Sequence, residues 1–71
     1  MNHEVIAKDA NGVNRCYGIG QTEHEALREC KIACLQYFTD RPDIRRLYLY
    51  CGDSERPFID AKSQVPIEVT P

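Results

Sequence analysis

A chain of 71 residues makes one domain around one core, and a domain of that size buries only about 60% of its unfolded surface, which disfavours a deep catalytic pocket. At 42% hydrophobic and 28% charged the composition is that of a globular protein. A formal net charge of -2 and a pI of about 5.6 disfavour a nucleic-acid backbone as partner, and no apolar run approaches the roughly 20 residues of a membrane span.

The start, Met1-Asn2-His3-Glu4, lacks the charged and apolar regions of a signal peptide. That points to a cytoplasmic protein, in which the four cysteines stay reduced. Residues 3–8 read as a first strand centred on Val5, Ile6 and Ala7. Asn11-Gly12 then signals a two-residue hairpin turn, since both residues tolerate positive φ. Residues 13–19 return. That turn sets Ala7 opposite Cys16, Ile6 opposite Tyr17 and Val5 opposite Gly18. One face carries Val5, Ala7, Cys16 and Gly18, small enough for a helix to lie close. The other carries Ile6, Lys8, Arg15, Tyr17 and Ile19.

Thr22-Glu23-His24-Glu25 matches a capping box, with Thr22 as N-cap. The helix is expected over residues 23–38, about 24 Å long. Ala26, Leu27, Cys30, Ala33, Cys34, Tyr37 and Phe38 form its apolar stripe, with Ile32 and Leu35 towards the flanks. Pro42 disfavours helical geometry before it. Residues 45–51 alternate as a strand, Leu47, Leu49 and Cys51 one way and Arg46, Tyr48 and Tyr50 the other. Residues 57–60 read as a short return strand, at an edge because of Pro57. The domain spans residues 1–60, and residues 61–71 form an edge strand or a tail. The fold class is α+β: an antiparallel sheet of three to four strands with one amphipathic helix on one face, in the order β-β-α-β-β.

No cofactor and no catalytic residue is indicated: His3 and His24 have no nucleophile placed beside them in the sequence. Gly18 and Gly20 resemble a phosphate loop, but Glu23 stands where a third glycine is needed. Cys16, Cys30, Cys34 and Cys51 all fall on core-facing positions. Buried reduced thiols are the simpler reading, with a zinc or redox site as the alternative, because only Cys30 and Cys34 are closely spaced. Tyr17, Tyr48 and Tyr50 share the open sheet face with Arg46, Ile6 and Ile19. Tyrosine and arginine anchor protein interfaces, so this face is the expected site for another protein or for a second copy in a homodimer. Glu23, Glu25 and Glu29 on the helix form a second expected surface, for a basic partner. Base stacking by the tyrosines is the RNA-binding alternative.

Residues 5–37, with an Asn-Gly turn, Gly18-x-Gly20-x-Thr22-x-x-Glu25-Ala26-Leu27 and an alanine- and cysteine-dotted helix, resemble the N-terminal domain of HicB-type antitoxins. The resemblance implies a partial ribonuclease-H-like or double-stranded-RNA-binding-like fold and a non-enzymatic role through protein contacts. Residues 45–60 have no clear match in that family, and Glu23 and Glu25 stand where double-stranded-RNA-binding domains carry lysines. Small acidic β-β-α-β chains also look like phage-encoded inhibitors of bacterial defence complexes, such as anti-CRISPR proteins.

Overall fold

A computed structural model describes residues 2–71. Strand β1 (His3–Lys8) pairs with β2 (Asn14–Gly20), helix α1 (Glu23–Asp40) follows, and β3 (Leu47–Cys51) and β4 (Glu68–Val69) complete the chain. All pairings are antiparallel, in the order β2-β1-β3-β4, with α1 packed mainly over β2. This is the small α+β fold expected from the sequence.

The hairpin reaches its expected register by an unexpected route. Asp9 N donates to Val13 O and Gly12 N to Asp9 O, both at 3.0 Å, so the loop is residues 10–12 rather than Asn11-Gly12 alone. Gly12 takes φ 80°, the left-handed region that glycine enters at little cost. A longer loop alone would exchange the two faces of β2. A bulge prevents this: Lys8 faces Asn14 while Ala7 faces Cys16, leaving Arg15 as the extra residue. Above the bulge, Ile6 faces Tyr17 and Val5 faces Gly18. Arg15 is therefore not on the open face, as simple alternation predicts. It turns to the helix side, where it donates to Asp9 and to Tyr37.

Helix α1 begins at the capping box. Thr22 Oγ1 accepts from Glu25 N at 3.1 Å, a bond whose loss costs about 1 kcal/mol. Glu25 Oε2 accepts from Gln21 N at 3.1 Å, one residue before the cap. The helix runs to Asp40, past the expected Phe38. Pro42 constrains only Arg41, which leaves the helix at φ -130°, so nothing stops Thr39 and Asp40 from continuing it.

Val5, Ala7 and Cys16 meet Ala26, Cys30, Cys34 and Phe38 of α1, and Leu47 and Leu49 of β3 close the core. Burying Leu47, Leu49 and Val5 stabilises the fold by about 1.5–3 kcal/mol each. Gly18 sets how closely the helix approaches. A Cβ there would fall on Cys30 N and Ala26 O and lie 2.7 Å from Cys30 Cα.

Beyond β3 the expected strand at residues 57–60 is not a ladder. Only the bridges Tyr50–Pro57 and Ile59–Pro66 form, because Pro57 and Pro66 have no N–H to continue the pairing. Phe58 N donates to Leu49 O at 3.0 Å and Ile67 N to Phe58 O at 2.8 Å. These bonds hold the segment beside β3, and after residue 60 the chain adds β4 at the same edge. Arg45 and Arg46 precede β3 rather than opening it. No helix among the described residues is long and apolar enough to cross a membrane.

Candidate functional site

The sheet face away from α1 is built from cross-strand rungs. Ile6 on β1 stands between Tyr17 on β2 and Tyr50 on β3. Its exposure is 6%, yet it lies outside the core cluster beneath the helix, so its cover comes from neighbours on this open face. In the next rung on the same face, Lys8 faces Tyr48. Lys8 Nζ sits 5.0 Å from the centre of the Tyr50 ring and 3.2 Å from Glu55 Oε1. A cation held over an aromatic ring contributes about 0.5–1 kcal/mol at an exposed site. Tyr48 and Tyr50 are half-buried, whereas Tyr17 is 52% and Ile19 55% exposed.

Of the expected interface residues, Tyr17, Ile6 and Tyr50 thus form one row, and Tyr48 stands in the next. Ile19 lies opposite Glu4, further along the same face of β2 as Tyr17. Arg46 is outside the strand, its Nε 3.6 Å from Glu68 Oε1. Both groups are largely solvated, so that pair contributes little.

The helical carboxylates divide. Glu23 and Glu29 are exposed, while Glu25 is half-buried by its role in the cap. Glu25 and Glu29 overlook the outer edge of β2, across a groove of about 570 Å³ that Gly18, Tyr17, Ile19 and Ile32 also line. Strand order, which periodicity does not reveal, makes β2 an edge strand. The only hint of this groove in the sequence is the flank position of Ile32, now 56% exposed.

The cysteines do not converge as one set. Cys16, Cys30 and Cys34 are buried together between sheet and helix, and Cys51 sits half-exposed at the end of β3. Burial pushes the Cys16 thiol up to about 12. A hydrogen bond with Cys30, together with burial, raises Cys34 as well. Such thiols stay protonated and are poor nucleophiles. Cys51 is the opposite case: hydrogen bonds from the Ser54 backbone and side chain, and from the Asp53 backbone, hold it below the usual thiol range. Among the described residues no group of three or more His, Cys, Asp or Glu side chains is arranged to hold a metal ion.

One polar constellation has no sequence signal beyond the charges themselves. Arg15 Nε donates to Asp9 Oδ2 at 2.9 Å and its Nη1 to Tyr37 Oη at 3.2 Å. Asp9 Oδ1 accepts from Asn11 N and Val13 N at 2.9 and 3.0 Å. The Val13 bond leads in holding this carboxyl below the usual carboxylate range, with Arg15 and Asn11 assisting. Asp9 ties the loop to Arg15 and Arg15 ties it to the helix, which makes the cluster a structural clasp.

Comparison with protein-family models finds no match, and neither curated proteins nor solved structures match the chain.

Proposed function

We propose that this chain is a small, non-enzymatic, cytoplasmic docking protein, acting by binding another protein through the tyrosine-bearing face of its sheet. The observation that carries this reading is the Tyr17–Ile6–Tyr50 row on the face that α1 leaves open. Tyrosine supplies large apolar contact area with few rotamers to freeze, and a buried aliphatic residue framed by aromatic rings is the kind of centre around which binding hot spots form. Ile19 and Lys8 extend the patch on either side of this row. The burial of all three thiols Cys16, Cys30 and Cys34, with the pKa values of Cys16 and Cys34 raised, supports a core role for them rather than chemistry. The HicB-like pattern of residues 5–37 agrees with an antitoxin-like role of this kind.

The test is affinity capture from the native host with the wild type and with Tyr17→Ala, Tyr48→Ala and Tyr50→Ala combined. The triple variant should keep its helical circular dichroism and lose the captured partner. Equal capture by the folded variant would refute the reading. Gel filtration of both proteins distinguishes a foreign partner from a second copy.

A further inference from the structure

We infer that the outer edge of β2, beneath the overhanging wall of α1, is a strand-pairing site for an extended basic segment of another protein, one whose side chains alternate between cationic and apolar. This rests on the docking reading above and assigns it a second surface and the chemistry of its occupant.

Strand β2 is the edge of the sheet, paired only with β1, so half of its backbone N–H and C=O groups point outward. Natural edges are commonly blunted by proline, by a covering loop or by charge. Here Asn14–Gly20 contains no proline, its one charged side chain, Arg15, is turned away to Asp9 and Tyr37, and its bulge lies at the hairpin end, leaving Cys16–Gly20 in regular register. The groove alongside is lined by Tyr17, Gly18 and Ile19 from the strand and by Glu25, Glu29 and Ile32 from the helix.

A second copy is a poor occupant for geometric reasons. The Gly18 contacts with Cys30 and Ala26 place the helix directly over β2. Paired strands lie about 4.8 Å apart, so a partner copy joined through its own β2 would bring a second α1, with its own Glu25 and Glu29, close against the first. Packed helices need about 8–10 Å between axes. A bare extended segment has no helix to collide.

Charge selects the segment's composition. Residues of an added strand point alternately to the two sheet faces. Those on the helix side rise past Ile32 towards Glu25 and Glu29. Lysine or arginine fits there, laying its aliphatic stem on Ile32 and its charge against the carboxylates. The single cation on that wall, Arg28, is exposed and only loosely paired, its Nη2 3.9 Å from Glu29 Oε1. Residues on the other face meet Tyr17 and Ile19, both more than half exposed, and are best apolar.

The experiment titrates the full chain with a short peptide of alternating lysine and valine, with glutamate–valine and block-ordered lysine-then-valine peptides as controls. Amide hydrogen exchange is followed residue by residue. The alternating lysine peptide should slow exchange at alternate amides within Asn14–Gly20. Both controls should bind at least about tenfold more weakly, as should the alternating peptide to Glu25→Gln with Glu29→Gln. Failure of the lysine peptide to bind, unchanged exchange in β2, or equal binding by the controls or by the double variant overturns the proposal. If partner capture depends on Tyr17, Tyr48 and Tyr50 while the peptide leaves β2 untouched, the docking reading stands and strand pairing falls.

Discussion

Arg15 and Asp9 meet at 2.9 Å across the base of the hairpin, and this contact joins the two irregularities on which the register depends. Asp9 closes the loop through Asn11 and Val13, while Arg15 is the bulged residue that absorbs the extra loop position. Replacing Asp9 by alanine leaves the Arg15 guanidinium and two backbone donors without their shared acceptor. The Asp9→Ala chain should melt several degrees lower, and Asp9→Asn, which keeps an acceptor but no charge, should fall between it and the wild type. Thermal unfolding by circular dichroism at neutral pH checks the order.

The same carboxylate contributes to acid sensitivity. Its pKa in the folded chain is below the ordinary carboxylate value, whereas the unfolded chain titrates near about 3.9. Between those values the unfolded state binds the proton more readily, so stability declines as pH drops. The contribution is complete above about pH 5 and is lost as pH falls towards the lowered folded value. Urea midpoints measured from pH 6 down to pH 3 should therefore decline less steeply for Asp9→Asn than for the wild type. Parallel declines would mean that Asp9 is not held in this way.

Gly12 and Gly18 should lose stability to very different extents when a methyl group is added. At Gly18 the added Cβ collides with helix backbone, which cannot yield as a side chain can. Gly18→Ala should cost about 3 kcal/mol or prevent folding. Gly12 meets nothing within 4 Å, and its only constraint is φ 80°. Gly12→Ala should cost about 1 kcal/mol, and Gly12→Asn less, since asparagine tolerates that conformation. Urea unfolding of the three variants gives the ranking directly.

Much of this fold was legible because each local pattern had one solution. Alternation in Leu47 to Cys51, the Thr22 to Glu25 box and small residues opposite the helix all act within a few positions. The loop length was not legible. Asn11-Gly12 supports a two-residue turn as well as the observed type, and the compensating bulge at Arg15 is stabilised by Tyr37, more than twenty residues away. Residues 57–60 form isolated bridges rather than a strand because Pro57 interrupts pairing with β3 and Pro66 interrupts pairing with Ile59, while β4 takes the place beside β3, an effect visible only once strand order is known. The open tyrosine face followed from register alone. The groove beside β2 did not, because no periodicity says which strand lies at an edge.

Alkaline pH should weaken the fold through its buried thiols. Cys16 is pushed up to about 12 and Cys34 is raised too, while an unfolded cysteine titrates near about 8.5. Above that value the unfolded chain releases protons that the folded chain keeps, so stability is full below about pH 8 and falls as pH rises towards the folded values. The urea midpoint in reducing buffer should drop between pH 7.5 and pH 9.5. In a chain with Cys16→Ala and Cys34→Ala the drop should shrink, whatever the substitutions cost at neutral pH.

Cys51 should be set apart from the other three by its reactivity. It is half-exposed at the strand end, and donors from Ser54 and Asp53 stabilise its thiolate. Cys30 and Cys34 are fully covered, and Cys16 is nearly so. A thiolate-directed reagent such as iodoacetamide, applied to the folded chain at pH 7.5, should therefore modify one cysteine per molecule, with peptide mapping placing the label at Cys51. Unfolding in urea should release all four. Because reaction of the covered thiols requires opening of the helix from the sheet, their labelling rate in native buffer also reports that opening. Gly18→Ala, if it folds, should accelerate labelling at Cys30 and Cys34 without changing the rate at Cys51. Equal rates at all four cysteines in the folded wild type would contradict the burial of this core.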